Sequence, residues 1–240
     1  MATGLFFISE SSSAASTINS RLLHSYPDAS PHTSRWVLNH ALFRSTPSNP
    51  PDNSPFQHQH VLNLGHYPGK TFIAITSPVS KSGTDIQDGA TVISVPFAQT
   101  EQYLRLMFGK FGALWVQRAQ LGVQNGWAYD VGDWTVRVGE LKQAGQPGTL
   151  RGTVVFIQHA GSSQTGNEEN GQDEKIVDQM SKEELEEYMS EMQATIREMW
   201  SGFGEEGARE FFSVPDPAGG KNETFEEVKV WCEMLRSVRG

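Results

Sequence analysis

The run Trp127-Ala-Tyr-Asp-Val-Gly-Asp-Trp-Thr-Val-Arg-Val-Gly139, followed by Arg151-Gly-Thr-Val-Val-Phe-Ile-Gln158, decides the fold class. Trp134, Val136 and Val138 alternate with Asp133, Thr135 and Arg137, the period-2 pattern of a strand with one buried and one wet face. Gly139 is read as the end of that alternation. After a turn over Gln143–Gly148, Thr153 to Gln158 is apolar at nearly every position, as in a strand covered on both sides. Two such strands belong inside a sheet, and Trp134 is expected in its core.

Working outward, Leu5-Phe-Phe-Ile8 is a first strand, and Ala14, Ala15, Ile18 and Leu22 have the spacing of a short helix. Arg35 to Phe43 reads as a strand with Trp36, Leu38 and Leu42 on one face. Ser45 to Pro55 holds four prolines and reads as a surface loop. Further strands are expected at 56–64, 71–76 and 91–95, with a polar connection over 77–89. A helix follows from about Gln99 to Phe108, apolar at Tyr103, Leu104, Met107 and Phe108 and stopped by Gly109 and Gly112. Leu114 to Leu121 returns to strand, and Gly122 to Gly126 reads as a turn.

The count is eight or nine strands and two helices before residue 160. The expected class is therefore α+β, mostly β: an antiparallel β-barrel with helices packed on its outside, including one at the C-terminus. One domain over 1–240 is the expectation for a chain of 240 residues, 37% hydrophobic and 20% charged. Residues 161–175 form a polar, acidic insertion expected to be disordered or looping. Helical additions follow at about 181–201 and 224–239. Ser181 with Glu184, and Thr224 with Glu227, fit capping boxes, with Met180 and Leu185 as a hydrophobic staple for the first.

Charge is unevenly placed. Residues 1–160 carry 11 Lys or Arg against 9 Asp or Glu, and residues 161–240 carry 8 against 19, so +2 and −11 make up the net −9. An acidic tail repels a phosphate backbone and the front shows no basic stripe, which argues against direct nucleic-acid binding. No apolar run reaches the roughly 18 residues a membrane span needs, and no leader is read at the start. Cys232 is the only cysteine, so no internal disulfide or cysteine-rich zinc site can form; its apolar neighbours suit a buried structural thiol.

Candidate chemistry is thin. Gly202-Phe-Gly-Glu-Glu-Gly207 fits a dinucleotide-binding string, but it follows a helix and its two glutamates oppose a pyrophosphate, so a helix-terminating turn is favoured. His58 and His60 share a strand face with His66 beyond a turn; a metal is conceivable, and a polar or solvent-facing set is the preferred reading. Asp130 and Asp133 flank a turn, where carboxylates usually hold backbone amides rather than act as an acid/base pair. Met189, Met192 and Met199 share a helix face with Leu185 and Ile196, which suits either core packing or an adaptable partner groove. No catalytic residue, metal site or cofactor is expected.

The wording Tyr129-Asp-Val-Gly-Asp-Trp-Thr-Val-Arg-Val-Gly139 and Arg151-Gly-Thr-Val-Val-Phe-Ile157, with Gly4-Leu-Phe-Phe-Ile8 as first strand, resembles subunit 20 of the Mediator complex. Over about 30 residues the likeness lies in the motif, and elsewhere in the order of elements; 161–223 has no placed counterpart. The resemblance implies a nuclear, non-catalytic coactivator subunit in the head module. It implies a barrel paired with Mediator subunit 18, near subunit 8, meeting RNA polymerase II through the assembled complex. Two other classes stay open. One is a small-molecule carrier, whose cavity Trp36, Phe72, Trp134 and Phe156 would line; the other is a barrel hydrolase or isomerase, for which no convergent acid/base pair is seen. Trp127 and Tyr129, beside glycines that allow close backbone approach, are the candidate partner contacts; the alternative is that both rings fold back over the sheet rim.

Overall fold

The computed structural model describes residues 2–9, 13–47, 56–76, 90–144, 148–159, 182–213 and 222–238. The elements are β1 (Thr3–Ser9), α1 (Ala14–Ser25), β2 (Ser30–Pro31), β3 (Trp36–Ser45), β4 (His58–Leu64), β5 (Lys70–Thr76), β6 (Ala90–Pro96), α2 (Thr100–Gly109), β7 (Trp115–Val131), β8 (Trp134–Gln143), β9 (Thr149–His159), α3 (Lys182–Ser201), β10 (Arg209–Ser213) and α4 (Glu223–Ser237). A 3₁₀ turn, Phe97–Gln99, leads into α2. The acidic insertion, the connections at 48–55 and 77–89, and the Met180, Ser181 and Leu185 cap and staple lie outside the described residues or side chains.

The fold is mostly antiparallel sheet with helices, including the C-terminal one, as expected. The hydrogen-bonded path runs β10-β1-β9-β8-β7-β3-β4-β5-β6, and β2 adds to β7. Among the described residues its ends, β10 and β6, are not paired, so the sheet is not closed and is a barrel only in a loose sense. Two compact units are distinguished: Met1–Trp36 with Asn125–Leu141 and Leu150–Gly240, and Val37–Gln124 with Lys142–Thr149.

In the first unit β1 is buried from Thr3 to Ile8 because both its faces are covered. Phe6 and Ile8, with Val136, Val138, Val155 and Ile157, meet Ile18 and Leu22 of α1 and Ile196, Met199 and Trp200 of α3. The ring of Phe6 stacks on Trp200 at 4.4 Å. On the other face, Phe156 of β9 stacks on Trp231 of α4 at 5.5 Å, and Trp36 lies 6.0 Å from the same indole. The α4 helix is capped by Asn222, whose side chain accepts from Thr224 N at 3.1 Å. Glu227 is not part of a capping box; it is buried and accepts from Trp231 Nε1 at 3.2 Å. Cys232 is buried in this helix, and burial pushes its thiol pKa up.

In the second unit β3, β4, β5 and β6 pair in antiparallel register, with Ala41, Val61, Ile73 and Ile93 opposite one another in a row. Met107 of α2 packs on Ala41, Phe43 and Val61, with Tyr103 and Leu104 beside it. The Tyr103 hydroxyl is bonded by Gln59 Nε2, and Thr100 Oγ1 by Thr71 Oγ1. Phe108, expected on the apolar side of the helix, is 55% exposed.

Several expectations change. Gly122–Gly126 is not a turn: β7 runs through it for 17 residues. Glycine is required there by close approach, since a Cβ on Gly126 would stand 2.6 Å from Trp36 Cε3 and 2.9 Å from the Val138 carbonyl. Trp134 is half-buried, its ring 4.5 Å from His159, because the tight turn places it at the mouth of the hairpin rather than in the core. His60 is buried, not solvent-facing, and its Nδ1 shares a 3.0 Å hydrogen bond with Nε2 of buried His40.

Candidate partner-binding groove

β7 and β8 meet at Val131-Gly132-Asp133-Trp134, a two-residue hairpin in which Gly132 takes φ +57°, a conformation costly for residues with a Cβ. That turn fixes the register of the residues before it. Ser30 and Pro31 of β2 pair with Asp130 and Tyr129, and His32 N donates to the Ala128 carbonyl at 2.9 Å. The edge of β7 is thereby covered by an extended segment. Between the two strands lies a groove of about 320 Å³, lined by Pro31–Arg35 on one side and Gly126–Tyr129 on the other.

Both sequence-nominated residues line this groove, with different standing. Tyr129 belongs to the core of the first unit, 6% exposed. Trp127 is half-buried, packing one side against that core. The fold-back alternative therefore describes Tyr129 better than Trp127.

Asp130, next in sequence to the groove-lining Tyr129, accepts from Thr135 Oγ1 at 3.0 Å and pairs with His32 Nε2 at 2.9 Å. Partial burial pushes its carboxyl pKa up, but the bonds from His32 and Thr135 and the charges of His32 and Arg137 outweigh this, and the net position is below the ordinary value. The order of groups decides the chemistry. In a hydrolytic triad the imidazole stands between hydroxyl and carboxylate; here the carboxylate stands between imidazole and hydroxyl, so His32 is not placed to take the Thr135 proton. The arrangement ties β2 to the hairpin. Asp133 takes no part in these bonds.

Among the described residues no group of three or more His, Cys, Asp or Glu is placed to hold a metal ion. No helix there is long and apolar enough to cross a membrane. The Gly202–Gly207 string ends α3: Gly202 N and Gly204 N bond back to Met199 and Trp200 carbonyls, and Phe203 is buried. Of the four positions named for a carrier cavity, three lie in the first unit and one, Phe72, in the second. Trp36 and Phe156 are closed over by Trp231, Phe72 is buried in the second unit, and Trp134 lies at the hairpin mouth.

A sequence model of the family described as the TATA-binding related factor (TRF) of subunit 20 of Mediator complex matches residues 1–230. The chain belongs to the Mediator subunit 20 family. The match includes 161–223, which motif reading alone left unplaced. No curated protein matches the chain significantly. Solved structures with some likeness include the PH1819 protein from Pyrococcus horikoshii OT3, 11% identical with a TM-score of 0.42 and coverage of 100% of each chain. A candidate adenylate cyclase from Vibrio parahaemolyticus is 7% identical, with a TM-score of 0.39 and coverage of 82% of this chain and 87% of that one. HpAC1 from Hippeastrum, a candidate adenylyl cyclase with a dominant triphosphatase activity, is 12% identical, with a TM-score of 0.34 and coverage of 95% and 96%. Likeness at that level carries no argument here. As a member of this family the chain is a subunit of Mediator, associates with other Mediator subunits and acts in transcription regulation.

Proposed function

We propose that the protein is a non-catalytic head-module subunit of Mediator that pairs directly with Mediator subunit 18, near subunit 8, and reaches RNA polymerase II only through the assembled complex. The observation that carries this is the family match over residues 1–230. The residue chemistry is in keeping with it: a carboxylate wedged between imidazole and hydroxyl, a filled aromatic core, and an acidic C-terminal third that disfavours nucleic acid. The Trp127–Tyr129 groove is assigned to the contact, with Trp127 as the ring a partner side chain packs on and Tyr129 as the groove wall. Co-expression with subunit 18, size-exclusion co-elution and calorimetry test the pairing. The wild-type pair is expected to co-elute one to one. Trp127→Ala is expected to weaken it about tenfold or more, as loss of an aromatic anchor does, and Tyr129→Phe to leave the fold intact. Separate elution of the wild-type proteins would reject the pairing.

A further inference from the structure

The chain holds four Ser-Pro or Thr-Pro pairs, at Ser30, Thr46, Ser54 and Ser77. Two of these fall among the described residues, and they differ in what holds the hydroxyl. Thr46 is half-buried, and its Oγ1 donates to the Ala113 carbonyl at 2.8 Å. Ser30 is exposed, in a connection from α1 to β3 whose residues 27, 28 and 30–35 are all exposed. Proline lacks an N–H and pushes the residue before it into extended backbone, and Ser30-Pro31 is extended as β2. A kinase that selects proline after its acceptor takes an exposed, extended segment of this kind.

The register of β2 places this hydroxyl next to charge. Ser30 stands directly opposite Asp130 of β7, and residues opposite one another in an antiparallel pair share a face, with Cβ atoms about 4.5–5.5 Å apart. His32 is two residues further along and shares that face too; its Nε2 reaches Asp130 Oδ1 at 2.9 Å. Ser30 therefore sits beside the ion pair that ties β2 to the hairpin, just outside the groove whose wall begins at Pro31. Beyond that ion pair, β2 is held by two residues of pairing and the bond from His32 N to the Ala128 carbonyl.

A phosphate on Ser30 changes the charge balance of that face. Phosphoserine carries about −1.5 to −2 at pH 7, and like charges directly opposite one another destabilise a strand pairing. His32 brings at most one positive charge to two anions, and the phosphate, on its own strand, competes with Asp130 for it. Arg137 also acts on Asp130, but it is 7% exposed and is held by Gln158 Oε1 at 3.3 Å and over the Phe156 ring, so it does not swing out to a surface phosphate. We infer that Ser30 is a phosphorylation site, and that its phosphate draws His32 off Asp130 and releases β2 from β7, opening the groove wall at 31–35. A proline-directed kinase supplies the γ-phosphoryl of ATP: the bond from Ser30 Oγ to phosphorus forms, the bond from phosphorus to the β-phosphate oxygen breaks, ADP leaves and the hydroxyl proton passes to the kinase's base. The switch acts on the chain by itself, whatever partner the groove takes.

The test treats the full chain with a purified proline-directed kinase and Mg-ATP and maps the product by mass spectrometry. Ser30 is expected to carry phosphate, and Ser30→Ala to lose that site alone. Phosphate found only at Thr46, Ser54 or Ser77, or nowhere, overturns the site. A chain made with phosphoserine in place of Ser30 during translation is then compared with the unmodified chain by hydrogen exchange. Exchange over 28–35 and 126–131 is expected to quicken about fivefold or more, as an ion pair and a strand contact are lost together, while β1 and β9 stay as protected as before. In the Asp130→Asn background the same phosphate meets no opposing carboxylate, and its effect is expected to fall to about twofold or less. Exchange that slows or stays the same on phosphorylation overturns the release, as does an equal effect with and without Asp130.

Discussion

Replacing Trp231 by alanine should be among the most damaging single changes available in this chain. The indole is fully buried in α4, stacks on Phe156 at 25° and stands 6.0 Å from Trp36. Truncating a buried aromatic costs about 3–5 kcal/mol through lost transfer energy and the cavity left behind. The ring pairing adds about 0.5–1.5 kcal/mol, and Glu227, only 3% exposed, loses the indole N–H it accepts. These terms overlap, so the expected total is about 4–6 kcal/mol, a large part of the roughly 5–15 kcal/mol that holds a domain folded. Trp231→Phe retains a ring against Phe156 and loses the donor, and should cost about 0.5–1.5 kcal/mol for the lost hydrogen bond. Urea unfolding followed by far-UV circular dichroism measures both. An alanine variant within about 1 kcal/mol of wild type would refute the reasoning, because it would mean that this position is hollow or wet, as the carrier reading requires.

Other expected outcomes follow from the same geometry. Gly126→Ala should destabilise by about 1–3 kcal/mol, as overpacking does, since the added Cβ meets Trp36 and the Val138 carbonyl below 3.0 Å; an unchanged melting temperature would show that β7 and its neighbours give way freely. Asp130 has its folded pKa below the ordinary carboxylate value, so its contribution is present above about pH 4, where an unperturbed carboxylate ionises, and fades as pH falls through the lower folded value. Asp130→Asn should therefore lower the melting temperature at pH 7 and match wild type in strong acid; a difference that grew on acidification would contradict the sign. Cys232, buried with its thiol pKa pushed up, should resist a thiol reagent in the native protein and react on unfolding.

Where one face of an element was buried and the other wet, the sequence was sufficient. Ala14, Ala15, Ile18 and Leu22 mark α1, and all four are buried. Strands β4, β5 and β6 lie close to where composition places them. Glycine misled at Gly122 and Gly126, because a residue that permits a turn also permits close approach, and only the neighbour across the sheet tells the two apart. β10 escaped notice: Arg209 to Ser213 is too short to show a period, and its pairing with β1 is set by tertiary contact. The groove was half legible. Trp127 and Tyr129 stood out as aromatics beside a turn, but their separation into half-buried and buried rings depends on α1 and α3, far away in sequence. In α2, Tyr103, Leu104, Leu106, Met107 and Phe108 cannot all lie on one side of a helix, and Leu106 and Phe108 are the ones left exposed.

The most direct test of the central claim, that this protein works as a subunit of Mediator, is purification of the tagged full chain from nuclear extract at moderate salt, with quantitative mass spectrometry of what accompanies it. The account predicts Mediator subunits in fixed ratio to the tagged chain, with subunit 18 at one to one. Recovery of the chain without any Mediator subunit would contradict it.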